Sequence, residues 1–406
     1  MNIRLVAALV QEWMLELLKG LGRLLLNPVF YYLFFLAAIL GVSRVKRERK
    51  NFHVRAENAY FELRQLLPLG LAAGLVLSII TIGAGLVIPI ELIVFAAGFT
   101  LLWSLTAKIR LLSPVYTVGF AFFAMLFFLS KKWELPLITS KTPEWSPDIL
   151  SPIAVLLALL ILAEGILISR NGGKGTSPKL VIGKRGLVVG IHEVKRLWML
   201  PVFLMIPGES LAAPFKWWPL FSIGEQSYAL ILVPFTIGFF QYIKGMLPAE
   251  SVKSVGKRVV KLGSVLVVLS LIGYWYPLAS IVIVALAIIG REIISFRQRS
   301  IEDNLPFYFS MKNQGVMILG VLPDSPAAGM GLEVGELVMK VNGAPVNDEE
   351  SFYNALMQNR AHCKLEVLDV NGQIRLTQRA LFEGDHHELG ILFVQDERKW
   401  ETKRVQ

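Results

Sequence analysis

Apolar stretches of membrane-spanning length recur along the first three hundred residues, and basic loops separate them. A helical span needs about 20 apolar residues, with a range of about 17–25. Candidate spans cover 24–42, 68–88, 89–107, 111–130, 149–168, 198–215 and 219–243, with two shorter ones at 262–276 and 277–294. Pro201, Pro207 and Pro214 interrupt the 198–215 stretch, which reads as a broken or re-entrant helix. With 54% hydrophobic and 18% charged residues over 406 positions, the chain is too apolar for an ordinary soluble protein.

Residues 1–22 mix Arg4, Glu12, Glu16 and Lys19 with Leu and Val, and no small-residue cleavage site follows. They predict an amphipathic helix lying in the membrane interface, not a cleaved signal. The loops then orient the spans. Loop 43–55 sets Arg44, Lys46, Arg47, Arg49, Lys50 and Arg55 against Glu48 alone. Loop 169–197 sets seven basic residues against Glu193, and 244–261 sets five against Glu250. Lys108 and Arg110 make a fourth basic turn. If every candidate crosses, these four share one side, cytoplasmic by the positive-inside rule. A single helix over 262–290 would be about 43 Å long, against a core of about 30 Å. Tyr274-Trp275-Tyr276-Pro277 at its middle favours a hairpin turning at the outer face. The chain end then lies in the cytoplasm.

The last hundred residues differ in character. From position 300 onward, ten Lys/Arg face sixteen Asp/Glu, a net of −6, while the rest of the chain carries +16. A basic membrane part and an acidic tail domain argue against nucleic acid as partner and for contact with anionic lipid. Gly315–Leu322, Glu336–Val341, 365–370, 373–381 and 389–394 read as strands. Ser325-Pro326 opens a short helix, and Asp348 caps a second that runs through Asn359. Asn342-Gly343 and Asn371-Gly372 mark tight turns. The blocks Gly315-Val316-Met317-Ile318 through Pro323-Asp324-Ser325-Pro326-Ala327-Ala328-Gly329-Met330-Gly331-Leu332, and Val334-Gly335-Glu336-Leu337-Val338-Met339-Lys340-Val341-Asn342-Gly343, resemble the core of a bacterial PDZ domain. The fold class is a polytopic α-helical membrane domain followed by a small α+β PDZ-like domain. The expected division is an interfacial helix over 1–22, a body of about seven to nine helices over 23–299, the PDZ-like domain over 300–396 and a charged tail over 397–406.

PDZ domains take peptides by strand addition. An apolar-Gly-apolar turn ahead of the receiving strand lets a ligand approach the backbone closely. Leu389-Gly390-Ile391, leading into Phe393, fits a circularly permuted arrangement in which that strand comes last. Phe352, Leu356 and Asn359 form one stripe of the facing helix at i, i+4 and i+7. A purely structural role for Phe352 and Leu356 in the core weighs evenly against a groove role. Gly315-Val316 is the rival turn. The acidic start Asp348-Glu349-Glu350 either attracts a basic ligand or matches the helix dipole.

Catalytic signatures fail. A zinc protease needs His-Glu-x-x-His, so that two imidazoles share one helix face. Arg196 and Ile391 stand where the second His would follow His192-Glu193 and His387-Glu388. The adjacent pair His386-His387 is more readily solvated than metal-bound, Gly172-Gly173-Lys174-Gly175 reads as a flexible loop, and Cys363 as a small buried hydrophobe. No catalytic, metal or cofactor site is expected. Intramembrane acids are few: Glu164 within reach of Arg170, Glu225 and Glu91, each near a span end. They make a transporter the weaker alternative, beside that of a protease-associated membrane protein.

The whole arrangement resembles the MinJ family, polytopic PDZ proteins of Gram-positive rods. The likeness rests on Asn27-Pro28-Val29-Phe30-Tyr31-Tyr32, the basic run Arg44-Val45-Lys46-Arg47-Glu48-Arg49-Lys50, the multispanning body and the terminal PDZ blocks. The resemblance implies a nonenzymatic cell-division adaptor in the cell membrane, enriched at septum and poles. It would link the pole-marking protein DivIVA to the division-inhibitor ATPase MinD and contact other divisome proteins. Homo-oligomerisation stays open.

Overall fold

The computed structural model describes residues 3–131, 147–183, 185–212, 215, 218–221, 227–359, 361–381 and 389–394. The body begins with α1 (Ile3–Leu25), α2 (Pro28–Phe52), α3 (Phe61–Leu66), α4 (Pro68–Ala84), α5 (Ile90–Leu105), α6 (Pro114–Ser130) and α7 (Leu150–Leu167). Three strands follow, β1 (Ser177–Ile182), β2 (Val188–Ala212) and β3 (Ser227–Ile243), and then α8 (Pro248–Ser270) and α9 (Ala279–Asn304). The tail domain holds β4 (Val316–Val321), α10 (Pro326–Gly329), β5 (Leu337–Val341), β6 (Ala344–Pro345), α11 (Glu349–Met357), β7 (His362–Leu368), β8 (Ile374–Ala380) and β9 (Ile391–Phe393). Pro28–Phe52, Phe61–Ala84, Pro147–Gly172 and Ala279–Asn304 are long and apolar enough to cross a membrane, and Ile90–Leu105 and Pro114–Ser130 are shorter apolar helices.

The described parts of the candidate spans at 198–215 and 219–243 are not helices. They form a long antiparallel hairpin, β2 on β3, with Leu197 opposite Gly238 and Met205 opposite Leu230. Trp198, Met199, Leu200, Val202 and Leu204 are all fully buried, so both faces of β2 are covered. A strand buried on both faces reads as a continuous apolar run, which is how it mimics a span. Pro201 lies directly opposite Pro234, a pairing that suits a ladder position where neither residue needs to donate. An antiparallel hairpin returns the chain to the side it left, as two crossing helices would. The parity of the remaining spans is therefore unchanged.

The hairpin's free edges are sealed by side chains. On the β2 edge, Ser78 Oγ accepts from the Phe203 N–H (2.8 Å) and Thr81 Oγ1 donates to the Phe203 carbonyl (2.8 Å). Gly70 and Gly74, on the same face of α4, let the helix backbone lie against the carbonyls of Met199 and Pro201, where any Cβ would collide. On the β3 edge, Glu16 accepts from the Leu230 N–H (3.4 Å) and Arg23 donates to the Leu230 carbonyl (2.6 Å). Unpaired backbone groups away from water are costly, so these partners are what makes strands tolerable inside a helical body.

Two charge clusters are buried. The basic stretch expected as a loop continues α2 to Phe52. Arg44 pairs with Glu48 (2.9 Å) and Glu62 (3.2 Å), Arg47 with Glu193 (2.7 Å), and Arg196 with Glu62 (3.4 Å). The Arg196 guanidinium also lies over the Phe61 ring at 4.6 Å. These pairs tie α2, α3 and β2 together. Glu164 does not use Arg170. It pairs with Arg291 of α9 (3.0 Å) and accepts from Ser113 Oγ (2.7 Å). Glu91 is buried, while Glu225 lies outside the described residues. α8 and α9 form a helical hairpin whose turn exposes Tyr274, Trp275 and Tyr276.

Candidate functional site: the β9–α11 groove

The tail domain is built on a sheet of order β8-β7-β5-β4-β9, with β6 beside β5. Its turns follow local chemistry. Asn342 and Gly343 both adopt positive φ between β5 and β6, and Gly372 (φ 80°) closes the β7–β8 hairpin. Asp348 accepts from the Ser351 N–H (2.9 Å) while Ser351 Oγ accepts from the Asp348 N–H (3.1 Å), a reciprocal cap that starts α11. Ser325 Oγ accepts from the Ala328 N–H (3.2 Å) and Pro326 takes the first helical position of α10. Arg375 of β8 clamps Glu336 through two nitrogens (2.7 and 3.0 Å), pinning the turn before β5.

β9 is an edge strand. Among the described residues it pairs with β4 alone, through Ile318–Phe393, Gly320–Leu392 and Val321–Ile391. Its side chains alternate between two cores. Ile391 and Phe393 enter the domain's own core. Leu392 and Val394 enter a second cluster with Phe52, Phe309, Met317 and Leu319, which joins the domain to the body. Phe393 meets Phe352 of α11, ring centroids 4.9 Å apart. β4 is hydrogen-bonded on both sides, to β5 and to β9. The rival turn at Gly315 and Val316 therefore leads into a strand with no vacant edge. The Gly315 N–H donates to the Val346 carbonyl (3.1 Å), and a Cβ there would meet Leu337 at 2.7 Å.

The candidate residues fall into two groups. Leu389 (φ 54°) and Gly390 (φ 77°) form a tight left-handed turn ahead of Ile391. The Ala327 N–H donates to the Leu389 carbonyl (3.0 Å), and the Leu322 N–H to the Gly390 carbonyl (2.8 Å). Gly390 is thus backed by the Ser325 turn, a contact between distant segments that no local sequence signal reveals. Phe352 and Leu356 are buried in the domain core and form the floor beside β9. Asn359 faces elsewhere: its Oδ1 accepts from the Ala361 and His362 N–H groups (3.2 and 3.3 Å), closing the turn into β7. Half-buried Tyr353, beside Phe352, is a rim residue that the helical stripe did not single out. Cys363 is fully buried, and burial pushes its thiol up to about 12.

His192 and Glu193 sit on β2, so they project to opposite faces instead of sharing one. Among the described residues no group of three or more His, Cys, Asp or Glu is placed to hold a metal. His386, His387 and Glu388 lie outside the described residues.

Comparison with known proteins gives full-length relatives. The chain is 39% identical over 392 residues to the cell division topological determinant MinJ of Bacillus subtilis (strain 168), covering 96% of this chain and 98% of that protein. It is 25% identical over 388 residues to a probable cell division topological determinant MinJ of Lacticaseibacillus paracasei, covering 92% and 98%. A shorter similarity, 33% over 85 residues, reaches the magnetosome formation protease MamE of Magnetospirillum gryphiswaldense, covering 20% of this chain and 10% of that protein. No protein-family model matches the chain, and no solved structure does.

Proposed function

Because this chain belongs to the MinJ family of cell division topological determinants, we propose that it acts as a membrane-held adaptor that places division regulators. The body fixes the protein in the membrane, and the PDZ-like domain captures a partner segment by adding a strand to β9. The observation that carries this reading is the vacant outer edge of β9 beside α11, among the described residues. Leu389, Gly390 and Ile391 form the entry turn, with Phe393, Phe352 and Leu356 beneath the ligand. By family resemblance the partners are DivIVA and MinD, with the tail domain on the cytoplasmic side and the protein at septum and poles.

The sheet has a second edge at β8, and it makes the natural control. Among the described residues β8 pairs only with β7; it carries Arg375 and Arg379 and exposes Ile374 and Leu376. Charged residues along an edge discourage pairing. A photo-crosslinking residue at Tyr353 or Met357 should capture a division protein in living cells, while one at Leu376 should not. Adducts from Leu376 alone would overturn the β9 reading. A fluorescent fusion should mark septa and poles; even membrane staining would overturn the adaptor role.

A further inference from the structure

A cavity of about 590 Å³ opens among the 107–110 turn, the end of β3, and α9. Six cations line it: Lys108, Arg110, Lys195, Lys244, Arg291 and Arg299, against Glu302 and Asp303. Four of the six are engaged. Arg110 pairs with Glu292 (3.0 Å), Lys195 with Glu193 (2.9 Å), Lys244 with Asp303 (2.6 Å) and Arg291 with Glu164 (3.0 Å). The Glu302 carboxylate is also occupied, accepting from Ser251 Oγ (2.6 Å) and the Lys244 N–H (2.8 Å). Lys108 and Arg299 are exposed and make no salt bridge among the described residues. Among the described residues the cavity therefore keeps two positive charges outside any salt bridge, Arg299 lying within the field of the Glu292 carboxylate, over an ion-paired wall.

Its construction is specific. Ala107 turns at φ 55°, and the Ile109 carbonyl approaches β3 at Gly238, where a Cβ would collide. That close approach fixes Lys108 and Arg110 on the cavity rim. Gln241, more than nine-tenths buried, donates to Ser251 Oγ (2.7 Å), while its Oε1 has no partner among the described residues. A ligand with both a phosphate and a hydroxyl would satisfy this set. The apolar parts of α5 and α9 end here. Leu105, 80% exposed, and Phe296, 74% exposed, stand near Lys108 and Arg299 in sequence and continue an apolar surface away from the site. Charge at one end and an open apolar flank at the other describe an amphiphile.

We propose that this cavity binds the headgroup of an anionic glycerophospholipid. Lys108 and Arg299 take the phosphodiester, Gln241 takes a headgroup hydroxyl, and the acyl chains run along the exposed apolar faces of α5 and α9. Basic pockets at the ends of membrane helices suit such headgroups, each nearby cation being worth about fivefold in affinity.

The test uses the full chain in nonionic detergent, with retained lipid read by native mass spectrometry. Phosphatidylglycerol should be retained in preference to phosphatidylcholine. Lys108→Gln/Arg299→Gln should weaken phosphatidylglycerol binding about thirtyfold. Lys253→Gln/Lys257→Gln, exposed α8 residues outside the cavity, should leave it unchanged. Lys108→Arg/Arg299→Lys should keep it, separating charge from structural damage. Glycerol phosphate added in excess should not displace the lipid; displacement would assign the site to a soluble phosphate instead. Equal loss in both Gln pairs would mean diffuse surface attraction, and no loss in either would mean another site; each result overturns the proposal.

Discussion

Gly390 backs onto Ser325 so closely that a Cβ at position 390 would come within 2.7 Å of Ser325 Oγ and closer still to its Cβ. Gly390 also holds φ at 77°. A side chain here is strained twice, once in the backbone and once against the α10 turn. Gly390→Trp is therefore expected to destabilise the tail domain by about 3 kcal/mol. Faster hydrogen exchange in 316–394 would show it. Exchange matching the native protein would mean the turn yields freely.

Cys363 should resist alkylation in the folded protein, since the thiol is buried and its reactive thiolate is disfavoured at neutral pH. An added Met357→Cys, at a position 54% exposed, should react readily. With an impermeant maleimide on intact protoplasts it should stay unlabelled until the membrane is opened. Labelling before lysis would place the tail domain outside.

Gly70→Val should abolish stable expression, because the new side chain meets the Met199 carbonyl of β2 and cannot relax into solvent. Gly98→Val, on α5 with nothing within 4 Å of its Cβ position, should be tolerated. Comparable membrane levels of the two variants would dismiss the close contact of α4 with β2.

Glu164→Gln should cost about 3 kcal/mol or more, since it strands Arg291 as an uncompensated charge at a fully buried site. The double change Glu164→Leu/Arg291→Met should recover much of that loss, because neither charge then remains to be desolvated. Melting temperatures in detergent decide. A double variant weaker than the single would show that the pair does more than neutralise itself.

His192 joins the body to the tail domain at the start of β2, beside Thr176 Oγ1 (2.8 Å) and the Phe309 ring (4.9 Å). Burial depresses its pKa to about 3. The unfolded chain binds this proton below pH about 6.5 while the folded chain does not, so stability falls as pH drops below about 6.5. The slope approaches roughly 1.4 kcal/mol per pH unit and ends near the folded pKa. His192→Gln should flatten the melting-temperature profile between neutral pH and pH ~5. A variant that keeps the native acid sensitivity would assign it to other groups.

Much of the tail domain was legible because its signals are local. Asp348 with Ser351, Ser325 with Pro326, and the Asn-Gly turns each act within a few residues, and the strands between them follow. The hairpin of β2 and β3 was not legible. Full burial erases the alternation that marks a strand, and what remains is an apolar run of span length. The pairings of Arg44 with Glu62 and of Glu164 with Arg291 were hidden for another reason. Each joins helices that only the tertiary packing brings together. At the proposed groove, the Leu389-Gly390 turn lies beside buried Phe352 and Leu356, whereas the Asn359 side chain serves the next turn although its spacing fits the stripe.

The groups that seal the hairpin at Met199, Pro201, Phe203 and Leu230 come from residues that precede it, while Gly190 at its start bonds to the later Phe309. Glu16, Arg23, Gly70, Gly74, Ser78 and Thr81 leave the ribosome before the first residue of β2. A nascent chain folds from its N-terminus, so α1 and α4 stand ready as a mould when the two strands arrive. The order of synthesis thus favours strands that meet their partners at Phe203 and Leu230 on arrival. A circular permutant that translates 188–243 first would present the same contacts in the wrong sequence, and should aggregate during insertion although its finished fold would be identical.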